Sequence, residues 1–230
     1  SGPVLRELRR RAIGTTSVAA IYWRDLQRMP VRLPPLQVQQ SAVEIDRAFR
    51  GFSSALQALV AAKRMYRRGL MQQLLTGKMR FAGFTSSMWN EVRLTDVFTE
   101  RTETNRPDLP LLSVTGDRGV IPRDELEKRD TSNPDKSKYK RVAVGDLAYN
   151  TMRMWQGVSA LSSLEGIVSP AYTVLIPTAH VGGRFAKHLF KFPPVVNLFH
   201  RHSQGLVDDT LNLKFNRFGK IKVTIPLDTL

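Results

Sequence analysis

Val38–Thr76, VQQSAVEIDRAFRGFSSALQALVAAKRMYRRGLMQQLLT, is the stretch whose reading decides the fold. Stepping alternately four and three residues from Val38 gives Val38, Ala42, Ile45, Phe49, Phe52, Leu56, Leu59, Lys63, Tyr66, Leu70 and Gln73, and nine of these eleven positions are apolar. At an overall apolar share of 42%, chance would supply about four or five. A strict 4-3 repeat is the seam of a coiled coil, which buries one narrow stripe against another helix. The residues expected to do the pairing are Phe49, Phe52, Leu56, Leu59 and Tyr66. Pro34-Pro35 bars helix before the stretch, and Gly77 offers a left-handed stop after it. A helix of this extent would be about 58 Å long at 1.5 Å per residue. Such a rod reads as a spacer that must pair with something; the competing reading is a long core helix inside one compact domain.

The 230 residues outward from this rod are enough for one or two domains, and a charged share of 24% suits a chain with a buried core. No apolar run is long enough for a membrane span. The absence of cysteine excludes disulfides and thiolate metal sites, and fits a reducing cytoplasm. The Ser-Gly-Pro start gives the appearance of a cut chain. The net charge of +15 points to a polyanionic partner, nucleic acid first. The excess is +5 over residues 1–36, +6 over 37–80 and +4 over 81–230, so the rod and the N-terminal piece are the most basic per residue.

These three segments read as three parts. Residues 1–36 hold a basic helical patch at Leu5–Arg11, a loop at Gly14–Ser17, a helical turn around Ile21–Leu26 and a short strand at Met29–Leu33. They are too few to make a core. Sliding the C-terminus back by 192 positions lays Pro226 on Pro34, Ile225 on Leu33, Val223 on Val31, Ile221 on Met29, Phe218 on Leu26, Phe215 on Trp23 and Leu213 on Ile21. Each copy reads as a loop, a helical turn and a period-2 strand closing on proline. The chain is therefore expected to hold the end of one domain (1–36), the spacer helix (37–80) and a complete second domain with the same ending (81–230). That domain is expected to be mixed α/β around a bulged sheet. Strands are expected at Leu109–Val114, Leu147–Thr151 and Gly166–Ile176, a helical turn at Asp124–Arg129, a turn at Ser132–Asp135, and short helices at Phe185–Phe192 and Val195–His202 separated by Pro193-Pro194.

The domain lacks the patterns of a DNA-modifying enzyme. Ser169-Pro170-Ala171-Tyr172 is its nearest approach to a base-holding methyltransferase motif, without the second proline or a preceding cofactor loop. No acidic-x-Lys triplet of a metal-dependent nuclease follows Pro107-Asp108, and no phosphate-cradling loop occurs. His200-x-His202 has metal-like spacing but no third ligand nearby, and reads as a surface pair. No catalytic residue, metal site or cofactor is assigned. What is present is the segment Gly145–Gly157, in which a strand delivers Asn150, Thr151, Arg153 and Gln156 at its end. Arginine reads guanine edges, asparagine and glutamine read adenine, and threonine reads either. Met154 and Trp155 would add apolar contact. Arg118 in a turn, and Lys136, Lys138 and Lys140 in a charged loop, suit phosphates. The same segment also suits a buried tryptophan with satisfied neighbours at a sheet edge.

Tyr66-Arg67-Arg68-Gly69-Leu70-Met71-Gln72-Gln73-Leu74-Leu75-Thr76-Gly77 resembles the end of the spacer helix in the specificity subunits of type I restriction–modification enzymes. Leu33-Pro34-Pro35-Leu36-x-x-Gln39 resembles the join of a target recognition domain to that helix. The stretches Gly145–Gly157 and Glu165–Tyr172 resemble the body of such a domain. The resemblance implies a non-catalytic subunit with two recognition domains, each reading one half of a split DNA sequence, separated by two antiparallel helices. Those helices hold modification subunits, which bind S-adenosylmethionine and methylate adenine, and through them motor-nuclease restriction subunits. Against that pattern the chain is expected to be a fragment or a truncated form, able to self-pair through its spacer helix. The alternatives are a structural coiled-coil protein whose basic head does not read sequence, and the recognition part of a fused methyltransferase-nuclease.

Overall fold

The computed structural model describes residues 2–15, 18–31, 33–83, 88–126 and 133–226, and divides into two compact units, Ser1–Arg64 and Met65–Leu230.

The first unit begins with helix α1 (Pro3–Arg11), which carries proline in its first turn, where no amide partner is needed. The hairpin β1 (Ile13–Thr15) and β2 (Val18–Ala20) pairs Ile13 with Ala20, and helix α2 (Trp23–Gln27) follows. Residues 16–17 of the expected Gly14–Ser17 loop lie outside the described residues. Arg11 ties α1 to α2, bonding Glu7 at 2.7 Å and the Asp25 carbonyl at 3.3 Å.

Helix α3 (Leu36–Leu75) is a single run of 40 residues. The Val38 and Gln39 amides donate to the Pro35 carbonyl, and the Gln39 side chain reaches back to the Pro34 carbonyl at 2.7 Å. The double proline is thereby turned into the helix start. At the other end Gly77 has φ +68 and stands against the Trp89 indole. Leu75 is the one buried side chain of α3 among the described residues. Phe49 is 69% exposed, Phe52 67%, Leu56 50%, Leu59 52% and Tyr66 74%. The helix is thus not wrapped inside a compact domain, and its seam is open.

In the second unit the chain leads from α3 into β3 (Trp89–Arg93), the short helix α4 (Leu94–Val97) and β4 (Phe98–Glu100). Then come β5 (Leu112–Val114), β6 (Val120–Pro122), β7 (Lys140–Val142), β8 (Leu147–Asn150), β9 (Ser159–Leu161), β10 (Gly166–Val168) and β11 (Tyr172–Pro177). Helices α5 (Gly183–Leu189), α6 (Pro193–His202) and α7 (Phe215–Phe218) and strand β12 (Lys222–Pro226) complete it. The central sheet is antiparallel in the order β4-β11-β8-β9. β12 pairs with β3, from Lys222 opposite Arg93 to Pro226 opposite Trp89, so the last strand closes on the first.

Strand alternation divides the core into two layers. Leu147, Tyr149 and Leu175 face Phe98, Phe190, Phe199 and Phe218. Ala148 and Val174, one residue out of phase, face Leu112, Val120, Val142 and Val168. Both faces of β8 are therefore covered, and its side chains stay buried until Asn150.

Four expectations are corrected here. Gly166–Ile176 is two strands, because Ser169-Pro170 turns between them and the Tyr172 amide bonds the Ser169 carbonyl. Pro193-Pro194 opens α6 rather than separating two helices. Within Asp124–Arg129 there is a 3-10 turn at Arg123–Glu125; residues 127–132, with the rest of that stretch and Ser132, lie outside the described residues. Met29–Leu33 forms no strand where it is described, Arg32 lying outside the described residues, although its pattern matches that of β12. A strand needs an edge to bond to; β12 has β3, and no described strand lies beside Met29–Val31. The repeat itself extends further than its apolar positions. Shifted by 192, α1 falls on 195–203, over α6, and α2 falls on 215–219, over α7. The Ile13–Ala20 pair falls within one residue of the Gln204–Asn212 bridge.

Candidate nucleic-acid interface

The loop after β8 is shaped by its own polar groups. The Asn150 side-chain oxygen accepts the Met152 amide at 2.9 Å, a turn that ends the strand. Thr151 Oγ1 donates to the Ala171 carbonyl at 2.8 Å. Trp155 Nε1 donates to the Met152 carbonyl at 3.1 Å, and the indole meets the His200 ring edge-on at 5.7 Å. Met154 is fully buried and belongs to the core, so it is not the surface contact expected of it. A 3-10 turn, Met154–Gln156, closes on Gly157 at φ +74, where a Cβ would come within 3.2 Å of the Phe190 carbonyl. The side chains left over are those of Arg153 and Gln156, both exposed, neither with a hydrogen-bond partner among the described residues.

Of the surrounding cations, Lys138 is exposed at a cleft of about 590 Å³ that also gathers Asn150, Ser113, Arg123, Ser169 and Tyr172. Arg123, Ser169 and Tyr172 were not expected at the interface from the sequence, although Ser169-Pro170-Ala171-Tyr172 stood out there as a motif. Lys136 lies over the Tyr139 ring at 4.7 Å and donates to the Asn133 carbonyl. Arg118, on the Thr115–Gly119 turn, pairs with Glu125 at 2.7 Å with both side chains half exposed. Lys140 is bound inward to Glu100 at 3.1 Å, and its charge is balanced within the fold.

An ion-pair network binds the 101–108 segment to the sheet. Arg101 grips the buried Asp146 at 2.6 Å, Arg141 holds Glu103 at 2.9 Å and Glu165 at 2.6 Å, and Arg106 holds Asp108 at 2.8 Å. The Arg141 guanidinium holds the Glu103 carboxyl below its ordinary range, and Arg106 does the same for Asp108. His200 faces Asp208 at 3.5 Å while His202 Nδ1 contacts the Leu198 carbonyl at 2.9 Å, so the two rings turn to separate partners. Among the described residues no three metal-ligating side chains gather, and no helix is long and apolar enough to cross a membrane. The free groups can form directional hydrogen bonds to planar edges and can neutralise phosphates.

No protein-family model matches the sequence, and the search of curated proteins gives no significant match. Solved structures do match. One chain comes from work on complex assembly and conformational transition of the type I R-M system; it is 18% identical, with a TM-score of 0.55, over 98% of this chain and 56% of that one. The S subunit of a type I restriction-modification system from M. genitalium is 14% identical, with a TM-score of 0.52, over 96% and 58%. The HsdS subunit from Thermoanaerobacter tengcongensis is 15% identical, with a TM-score of 0.46, over 96% and 56%. At such identities the likeness is one of fold: a long helix with a mixed α/β, largely antiparallel domain. The present chain spans little more than half the length of each.

Proposed function

We propose that the chain is a DNA-specificity component of a type I restriction–modification enzyme, working in the cytoplasm and doing no chemistry on the bases itself. In this reading residues 81–230 are a target recognition domain, 37–80 the spacer helix and 1–36 the closing part of another recognition domain. Arg153 and Gln156 read base edges, with Asn150, Thr151 and Trp155 holding their loop. Lys138, with Lys136 on the same loop and Arg118 on the Thr115–Gly119 turn, faces the phosphate backbone, and Lys140, bound to Glu100, does not share in it. The seam of α3 pairs with a second helix and seats a modification subunit that binds S-adenosylmethionine, and through it the restriction subunits.

The observation that carries the proposal is that the exposed side chains of Arg153 and Gln156, set in the loop after a strand buried on both faces, have no hydrogen-bond partner among the described residues. A rigid strand holds directional groups in place, as sequence reading requires. The fold shared with the S subunit from M. genitalium and with a chain from a type I R-M system supports it. The test is selection from a randomised duplex pool by the chain, with and without a modification subunit. A defined enriched half-site is expected, and Arg153→Ala should weaken discrimination at one base pair by about 1–3 kcal/mol. Binding to all duplexes alike would instead favour a coiled-coil protein with a basic head that does not read sequence.

A further inference from the structure

Lys191 stands in the link between α5 and α6 and has no part in the contacts assigned above. Phe190 before it is fully buried in the aromatic core, and Phe192 after it packs on that core. The Lys191 amide bonds the His188 carbonyl at 3.1 Å, so the backbone there is held from both sides. Its ammonium reaches two carbonyls on separate loops: Gly157 at 2.6 Å and Gly116 at 3.2 Å. Gly116 lies in the turn that carries Arg118; Gly157 ends the loop that carries Arg153 and Gln156. The turn lies close against the strand that leaves the loop, for a Cβ on Gly116 would be 4.0 Å from Val158 Cγ2.

We propose that Lys191 is a positioning residue for sequence reading, pinning the Thr115–Gly119 turn to the Asn150–Gly157 loop so that both are presented at one fixed spacing. The proposal rests on the recognition reading above. A lysine offers three donors and no acceptor, which suits a bridge between two carbonyls. Such charge-assisted bonds are the stronger kind. The ammonium is partly withdrawn from water: burial pushes its pKa down, Lys187 adds repulsion and Asp117 opposes it. Among the described residues Lys191 is the side chain that hydrogen-bonds both loops.

The test compares wild type with Lys191→Met, Lys191→Gln and Lys191→Arg. Each is measured against the duplex that wild type enriches and against a scrambled duplex, with amide exchange followed over 115–119 and 150–158. Lys191→Met is expected to lose about tenfold in selectivity while scrambled-duplex affinity hardly moves, and both loops should exchange faster together. Lys191→Gln should fall between, and Lys191→Arg should restore selectivity. Unchanged selectivity in Lys191→Met with faster exchange overturns the proposal and leaves the recognition reading standing. If Lys191→Met does not fold, full selectivity in Lys191→Gln overturns it equally. A wild type without preference among duplexes overturns both.

Discussion

Lys138 and Lys140 lie two positions apart and have different fates. Lys140 is spent on Glu100, 40 residues away, whereas Lys138 stands exposed at the cleft with Asn150. Sequence supplies the residue types but not the distant carboxylates that claim some of them, which is why the basic loop reads as uniform before it is folded. Lys138→Ala is expected to weaken all duplexes alike and to flatten the slope of log affinity against log salt by roughly 0.9. Lys140→Ala should leave that slope alone and lower thermal stability by stranding Glu100, and titrations at several salt concentrations separate the two. The Arg141–Glu103 and Arg106–Asp108 pairs yield a pH prediction. Both carboxyls titrate lower in the folded chain than their ordinary values of 4.5 and 3.8. Their stabilisation is therefore fully present above those values and is lost as pH falls through the folded ones. The thermal midpoint should drop from about pH 4.5 downward, and the drop should be shallower in Arg141→Met, where Glu103 loses the larger of its guanidinium partners and keeps Arg106; a thermal-midpoint series in acid checks it.

Elements were legible where one local rule ruled them. Helix α3 followed from the 4-3 repeat between Pro34-Pro35 and Gly77, and its described ends differ from the expected ones by a residue or two. β9 is three residues long, set by its pairing with β8, and no periodicity announces so short a piece; α7, four residues long, was legible only through the repeat that lays Phe215 and Phe218 on the helical turn of the first copy. β12 and Met29–Leu33 carry the same alternating pattern, and the difference between them is β3, a strand far away in sequence. The stop of α3 gives a sharp test. Gly77 has φ +68, and a Cβ there would lie 2.7 Å from Trp89 Cε2. Gly77→Ala should cost about 1–2 kcal/mol for the left-handed backbone, and more as the indole is displaced. Gly69, on the same helix with open space around it, should behave oppositely, Gly69→Ala stabilising by about 0.5–1 kcal/mol. Thermal denaturation followed by tryptophan fluorescence gives both signs, and a destabilised Gly69→Ala would show that the helix surface at that point is not free.

At the scale of the whole molecule the question is what covers the surfaces this chain leaves open. Trp23 is 70% exposed, while its repeat partner Phe215 packs against the core; Leu26 is 37% exposed, while its partner Phe218 is fully buried. The same pattern serves as core where a sheet lies against it and as surface where none does. The seam of α3 poses the same problem over a greater length, with Phe49, Phe52, Leu56 and Leu59 each at least half exposed. Contiguous apolar surface of that extent marks an association site, and a 4-3 stripe accepts another helix carrying a matching stripe. The chain alone is therefore expected to self-associate, with a mass above that of one chain by light scattering. Phe49→Glu with Leu56→Glu should return it to a monomer, because two charges in one narrow seam meet either each other or an apolar partner. Both positions lie in the first unit, so the double variant should keep the second unit's duplex preference. It should also lose capture of a modification subunit if that subunit docks on the same stripe. A wild-type chain that runs as a monodisperse monomer would remove the pairing role from the seam; a monomeric double variant that still captures the subunit would place the docking on another face of α3.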